Sequence, residues 1–478
     1  MRRSNAAGAL QYVPELTWIL FLRILDERET NEALEAEALG NPHTPSLEYP
    51  YRWQDWATPG GPKRVELQNG SIGEFFAFVN GDLIPYLKAL RDRPHATARQ
   101  KVISEIFSSV DRTRIDTERN FLDILDKADG ISAETVDQTH MFTLSQTYEG
   151  LLLRMGEKGN DGGQFFTPRE IIRAMVQAVA PRLGETIYDP CCGTGGFLAE
   201  AYEHMSAGLG DEATGEQLET LKRRTFYGRE KENLIYPIAL ANLVLHGIDE
   251  PHIWHGNTLT GGVAYDGLFR GAPDRFDVVL TNPPFGGKEG REAQTNFAYR
   301  TGATQVLFLQ HVIDALEPGG RCGIVLDEGV LFRTNETAFV QTKRRLLEEC
   351  DLWSIVSLPG GVFSAAGAGV KTNLLFFTKG SPTESIWYYD LSDIKVGKKT
   401  PFTLDRFAEF FRLLPERGES DRSWSVSIEQ VQAKNYDLKA VNPNARSDED
   451  TRTPEELLDL IEAKGREVSA ALASIRRG

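Results

Sequence analysis

The run Glu185-Thr-Ile-Tyr-Asp189 passing directly into Pro190-Cys-Cys-Gly-Thr-Gly-Gly-Phe197 decides the fold. The first part is a short β-branched and aromatic stretch, which reads as a strand, and Phe197-Leu-Ala-Glu-Ala-Tyr202 after it reads as a helix. Between them, glycines 193, 195 and 196 permit positive φ and let a ligand approach main-chain N–H groups at a helix N-terminus. Such a turn also serves as a plain strand-to-helix connection. A second strand, Thr225-Phe-Tyr-Gly-Arg-Glu230, ends in a carboxylate where a doubly wound sheet places the acid that holds ribose hydroxyls. A solvated surface glutamate is the plainer alternative. Together the two segments suit a nucleotide-like cofactor.

About ninety positions beyond Asp189, a further strand, Phe276-Asp-Val-Val-Leu-Thr281, leads into Asn282-Pro-Pro-Phe285. Ligands of open α/β sheets bind beyond the strands' carboxyl ends, where this tetrapeptide falls. Consecutive prolines fix φ and remove N–H groups, leaving carbonyls that only accept hydrogen bonds. The Asn282 side-chain oxygen and the Pro283 carbonyl therefore suit the two hydrogens of an exposed planar amine, and Phe285 suits stacking on its ring. Asn-Pro also opens ordinary turns. Its order and spacing after the glycine loop favour the chemical reading.

These segments resemble the amino-methyltransferases that use S-adenosyl-L-methionine, with Asp189 to Phe197 as the cofactor loop and Asn282 to Phe285 as the catalytic loop. Upstream, Gly162-Gly-Gln-Phe-Phe-Thr-Pro-Arg-Glu170 is similar to the segment that packs over the methionine part of the cofactor in DNA adenine N6-methyltransferases. Gly286-Gly-Lys-Glu289, Glu328-Gly-Val-Leu-Phe-Arg333, Leu358-Pro-Gly-Gly-Val-Phe363, Val370-Lys-Thr-Asn-Leu-Leu-Phe-Phe377, Asn435-Tyr-Asp-Leu438 and Asn442-Pro-Asn444 extend the likeness to the modification subunit of type I restriction-modification systems, from about Leu16 to the C-terminus. The resemblance implies a Rossmann-like α/β methyltransferase sheet with a helical N-terminal domain and a helical C-terminal tail. It implies cofactor contacts from Gln164, Phe165, Phe166, Thr167, Pro168, Asp189, Gly193, Thr194, Gly195, Gly196, Phe197 and Glu230. Asn282, Pro283, Pro284 and Phe285 would carry the chemistry. Gly256-Asn-Thr-Leu259 stands where the family usually has Gly-Asp-Thr-Leu, so Asn257 would offer an amide oxygen where the family's carboxylate meets the cofactor's adenine. Asp327 stands where proline is commoner.

Composition accords with a large cytoplasmic enzyme. The 478 residues, 41% hydrophobic, can bury a substantial core in two or three units. No signal-peptide pattern opens the chain, and the longest apolar run, Leu16-Thr-Trp-Ile-Leu-Phe-Leu22, is too short to span a bilayer. The four cysteines, 191, 192, 322 and 350, fit neither metal-ligand spacing nor a disulfide framework. No metal is expected. Cys191 and Cys192 lie inside the cofactor turn, and methylating an exocyclic amine needs no covalent nucleophile.

A net charge of -16 argues against a chain that grips DNA unaided. Lys222-Arg-Arg224 and Lys343-Arg-Arg345 are candidate basic clusters, although such triplets are commonly solvated helix faces. A partner that supplies most DNA contacts is the favoured answer, and the resemblance names a specificity subunit. It leaves a restriction subunit and a second copy of this chain open as further partners, and no membrane is expected.

Residues 1–145 read as a mostly helical domain in which Glu74-Phe-Phe-Ala-Phe78 and Leu83-Ile-Pro-Tyr-Leu87 supply core, and the loop Gly40 to Gly61 is a candidate contact for a partner or DNA. Residues 146–440 alternate apolar runs with helical stretches, which predicts a mostly parallel sheet covered on both faces, with later strands at Leu352–Leu358, Asn373–Thr378 and Ile386–Asp390. In the tail, 441–478, Thr453-Pro-Glu-Glu456 marks a helix start. Leu457, Ile461, Val468, Leu472 and Ile475 then line one face, and Gly465 weakens the helix midway. The pattern leaves open whether that face packs within the chain or on a partner; the resemblance favours the partner.

The expected function is methyl transfer from S-adenosylmethionine to the N6 amine of adenine in double-stranded DNA, with the base drawn out of the duplex. Asn-Pro-Pro loops also serve enzymes acting on cytosine N4 or protein glutamine, but Phe285 and the Phe-Phe-Thr-Pro segment favour adenine. An idle cofactor-binding scaffold is the rival from another class, and the intact loop 282–285 argues against it.

Overall fold

The computed structural model describes residues 9–71, 73–130, 167–210, 213–363, 370–397, 400–444 and 453–475. Gln164, Phe165 and Phe166 and the expected boundary at 145/146 lie outside the described residues.

The first helix, α1 (Ala9–Ala38), buries Trp18, Ile19, Phe21, Leu22 and Leu25, so the longest apolar run of the chain is core. Helices α2 (Ala98–Ile106) and α3 (Glu118–Asp129) pack with it, each opened by a threonine, Thr97 or Thr117, whose side chain accepts an otherwise unpaired N–H of the first turn. Phe75, Phe78, Leu83, Ile84 and Leu87 are buried as expected. The loop from Gly40 to Gly61 differs from its reading as a docking segment at its centre. Trp53 and Trp56 are fully buried there, and the Trp53 indole N–H donates to Asp129 Oδ1 at 2.8 Å. These two tryptophans are core material that the loop's proline and glycine content conceals.

Ten strands form one sheet: β1 (Ile187–Asp189), β2 (Phe226–Glu230), β3 (His252–Asn257), β4 (Gly262–Tyr265), β5 (Phe276–Thr281), β6 (Leu316–Asp327), β7 (Cys350–Ser357), β8 (Thr372–Lys379), β9 (Ser385–Asp390) and β10 (Ser423–Ser427). Their order is β10-β9-β7-β8-β6-β5-β1-β2-β3-β4. The run from β6 through β5, β1 and β2 to β3 is parallel. Beyond it the sheet is mixed: β8 lies antiparallel between β6 and β7, β10 antiparallel to β9, and β4 antiparallel to β3. A connection as short as 258–261 can only reverse the chain, because a parallel return needs a crossover of about a dozen residues. The chain therefore departs from the mostly parallel expectation at its edges, while the expected positions of β7, β8 and β9 hold.

Helices cover both faces. Ile187 and Val278 belong to one buried cluster, and their chain neighbours Tyr188 and Val279 to another, as the two-residue period of a strand requires. On the first face lie α4 (Arg169–Val179), α5 (Gly196–Ala207) and the almost wholly buried α6 (Tyr236–Leu245). This cluster runs on into Trp18, Trp53 and Phe121 of the N-terminal helices without a break. Across the junction, Arg28 pairs with Asp249 and donates to the Val244 carbonyl at 3.3 Å, and Arg99 reaches Asp249 at 3.8 Å. The second face is packed by α7 (Thr304–Ala315) and α8 (Thr337–Glu349).

A last helix, α9 (Pro454–Ile475), begins with the expected reciprocal cap: Glu456 N donates to Thr453 Oγ1 at 3.2 Å and Thr453 N to Glu456 Oε2 at 2.7 Å. Gly465 does not interrupt it. Ile461 and Val468 are 67% and 58% exposed and Leu457 is half-buried, so the described residues leave much of this apolar stripe uncovered. The side chains of Leu472 and Ile475 lie outside the description. No described helix is long and apolar enough to cross a membrane.

Candidate active site

Strand order reverses between β1 and β5, since β2 and β3 extend the sheet to one side of β1 while β5 and β6 extend it to the other. The crevice beyond the carboxyl ends of such neighbours is where doubly wound sheets bind ligands. Asp189 closes β1 there and Thr281 closes β5. The Thr281 hydroxyl donates to Asp189 Oδ1 at 2.7 Å, and Cys191 N donates to the same oxygen at 3.1 Å. Burial pushes the Asp189 carboxyl up to about 7 against the pull of these two donors. Asp189 thus ties together the strand ends that carry the two loops.

The loop from Pro190 to Gly196 curls over this point. Gly195 has φ +82, and a Cβ there would stand 3.0 Å from the Leu243 side chain, so both conformation and space call for glycine. Gly193, at φ +54, turns its N–H to Glu230 Oε2 at 3.0 Å. Glu230 is no solvated residue: only 6% exposed, it also accepts from Glu232 N at 2.8 Å, and burial raises its carboxyl to about 7. Asn242 also supports the loop, its amide donating to the Thr194 carbonyl at 2.9 Å, as does the Thr258 hydroxyl, which donates to the Pro190 carbonyl at 2.6 Å.

A cavity of about 420 Å³ opens above these groups, within the range of about 300–1,000 Å³ common for small-molecule sites. Of the expected residues it brings together Thr167, Asp189, Gly193, Thr194, Gly196, Phe197, Glu230, Asn257, Asn282, Pro284 and Phe285. Pro168, Gly195 and Pro283 do not line it. Pro168 caps α4, Gly195 packs on Leu243, and Pro283 is buried with its carbonyl hydrogen-bonded to Gln305. Asn257 folds its Oδ1 back onto Leu259 N at 3.0 Å and Thr260 N at 3.4 Å. Both acceptor sites of the amide oxygen are thus engaged by backbone donors, and an adenine contact to that oxygen requires one of them to yield.

In the catalytic loop, Asn282 Nδ2 donates to Thr167 Oγ1 at 2.9 Å, joining segments 115 residues apart. Its Oδ1 is buried and has no partner among the described residues. A buried acceptor left unpaired costs about 1–3 kcal/mol, so it is a place where a ligand donor is wanted. Phe285 meets Phe363 edge to face, 5.4 Å between centroids. Its other border is the Gly286–Glu289 segment, pinned by Glu289 N to the Gly302 carbonyl at 2.8 Å and by the Thr304 hydroxyl to Glu289 Oε1 at 2.9 Å. Cys191 lies 3.1 Å from the Thr281 hydroxyl, and burial pushes both adjacent thiols well above their ordinary range, which disfavours a thiolate nucleophile. Among the described residues no group of His, Cys, Asp and Glu is arranged to hold a metal.

The residues present fit an adenosyl cofactor: a buried carboxylate for vicinal hydroxyls, an asparagine turn at the cavity edge, and a glycine loop at a helix N-terminus. Most charges of the two basic triplets are already paired or buried. Lys343 is 1% exposed and donates to the carbonyls of Leu331 and Arg333 at 2.7 and 2.9 Å. Arg344 is paired with Glu348, Arg345 with Asp314 and Glu349, Arg223 with Glu250 and Arg224 with Glu219. Thr281, Gln305 and Phe363 are additions to the predicted set. Thr281 and Phe363 fall in strings that sequence reading singled out, but neither was assigned a role there.

A model of the N-6 DNA methylase family matches residues 139–452. The methylase subunit of the type I restriction enzyme EcoEI from Escherichia coli is 34% identical over 98% of this chain and 93% of its own length. The EcoKI methylase subunit from Escherichia coli K12 is 30% identical over 90% of this chain and 78% of its own. Among solved structures, a chain from work on assembly and conformational transition of the type I restriction-modification system superposes with a TM-score of 0.75 at 38% identity, covering 99% of this chain and 95% of that one. A modification subunit of a proposed type I restriction enzyme from Vibrio vulnificus gives 0.79 at 33% identity, over 93% and 94%.

Proposed function

Since the chain belongs to the N-6 DNA methylase family and is akin to type I methylase subunits along its length, we propose that it methylates the N6 amine of adenine in double-stranded DNA, in a complex whose specificity subunit reads the sequence. S-adenosylmethionine supplies an electrophilic methyl group. The protein's part is to hold that cofactor and present the amine. Glu230 takes the ribose hydroxyls, Asn257 the adenine edge, and the segment around Thr167 the methionine end. Asn282 Oδ1 and the Pro283 carbonyl accept the two amine hydrogens, which moves the nitrogen toward tetrahedral geometry and frees its lone pair for attack on the methyl carbon. The bound cofactor would supply the methyl group with its sulfur as leaving group, and the surplus amine proton would pass to water.

The orphaned, buried Oδ1 of Asn282 beside the cofactor cavity carries this reading. Phe285 would stack on the extruded base. The acidic balance and absence of a disulfide pattern support a cytoplasmic setting. Nucleoside mass spectrometry after incubating unmethylated genomic DNA with labelled cofactor and the assembled complex tests the reaction. N6-methyladenine is the expected product. N4-methylcytosine would move the substrate assignment, and no labelled nucleoside would leave the scaffold reading.

A further inference from the structure

Gln305 is the second residue of α7 and is 3% exposed. Its Nε2 donates to the Pro283 carbonyl at 3.2 Å, and its Oε1 accepts from Asp327 N at 3.0 Å. Reversing the amide would set acceptor against acceptor and donor against donor, so the network itself fixes this orientation. Asp327 also caps the helix Glu328–Phe332 through Oδ1 to Val330 N at 3.1 Å. The glutamine therefore bridges the catalytic loop to the end of β6.

We infer that Gln305 is a positioning residue for methyl transfer, holding the Pro283 carbonyl in the direction from which it accepts the target amine; this rests on the proposed role of Asn282 and Pro283. Prolines at 283 and 284 contribute no N–H, so the loop cannot fix that peptide plane through donors of its own there. A carbonyl oxygen has two acceptor sites, and the bond from Gln305 occupies one and leaves one for the amine. The donated bond from Asp327 N polarises the Gln305 amide and strengthens its hold on Pro283. Gln305 touches neither cofactor nor substrate in this scheme. It acts through Pro283 alone.

Two variants, assembled with the specificity subunit and assayed on unmethylated genomic DNA, test the role. Gln305→Leu removes the donor, and kcat should fall on the order of 10- to 100-fold while cofactor Kd stays unchanged. Gln305→Glu keeps the acceptor for Asp327 N, but its ionised carboxylate faces the Pro283 carbonyl with no hydrogen to give. Protonation restores a donor, so kcat of this variant relative to the parent should rise as pH is lowered. A residue that merely filled space would show no such recovery. An equally active Gln305→Leu variant, or a Gln305→Glu to parent ratio that stays flat with pH, overturns the role of Gln305 alone. If the leucine variant does not fold, the glutamate profile still decides. A parent complex that never methylates adenine overturns the proposed function, and this role with it.

Discussion

At the scale of single residues, the site divides into groups that await a donor and groups already satisfied. Asn282 Oδ1 belongs to the first kind, being buried without a partner among the described residues, while its amide nitrogen rests on Thr167 at 2.9 Å. Asn282→Ala should therefore lower kcat by at least about 100-fold, the scale seen when one preorganised polar contact to a reacting centre is removed. Cofactor Kd, read by calorimetry, should stay unchanged, and a lost Kd would mean that Asn282 serves the cofactor. Glu230 belongs to the second kind. Its carboxyl is raised to about 7 by burial, whereas the ionised form accepts a ribose hydroxyl and its backbone donors more strongly than the protonated one. Binding must then release a proton below that value, so cofactor affinity should weaken by up to about tenfold per pH unit as pH falls below about 7. Glu230→Gln should bind more weakly overall and lose that part of the slope. An unchanged slope in the variant would assign it to another group, with Asp189, also near 7, the first candidate. The glycine loop, Glu230 and the Asn-Pro-Pro-Phe loop were legible in the sequence because each is a short string whose chemistry is local. Gln305 was not, since a glutamine on a helix carries no local sign that it will meet a carbonyl 22 residues upstream.

The secondary elements show the same boundary between local and distant information. Strands β7, β8 and β9 were readable from their β-branched and aromatic runs. Their order was not: β8 enters between β6 and β7, a pairing settled by side-chain packing across long separations rather than by any one segment. The buried Trp53 and Trp56 make the same point for the loop after α1, because burial of an aromatic depends on what other elements bring to it. Lys343 is a sharper case. Read as one of three basic residues, it suggests a charged surface, yet α8 turns it inward to the carbonyls of Leu331 and Arg333 at the end of the helix Glu328–Phe332. Burial lowers its ammonium to about 8, as expected for a cation taken out of water. Lys343→Met keeps much of the stem's packing but leaves two carbonyls without this donor. It should destabilise the chain by about 1–3 kcal/mol in urea unfolding. A change below about 0.5 kcal/mol would show that water replaces the ammonium at no real cost.

For the whole molecule, the governing quantities are a net charge of -16 and an apolar stripe that the described chain leaves uncovered. A polyanion substrate repels such a chain at long range, and its two basic triplets are largely engaged in ion pairs or buried. Isolated, the chain should bind DNA weakly and without sequence preference, and association with a specificity subunit should bring tight, sequence-specific methylation. Helix α9 is the proposed contact, because Ile461 and Val468 expose apolar surface along a helix whose start is firmly capped. Uncovered apolar area of this kind marks an interaction site and contributes little to the stability of the free chain. Deleting residues from Thr453 onward should leave the melting temperature of the isolated chain within about a degree, because a surface element remote from core packing changes stability by only about 0.5 kcal/mol. Co-elution with the specificity subunit in gel filtration should fall sharply. Undiminished co-elution would take α9 out of the interface, and a large drop in melting temperature would place its apolar face against this chain's own core. Sequence-specific methylation by the isolated chain would overturn the division of labour itself, since recognition would then reside in the same polypeptide as catalysis.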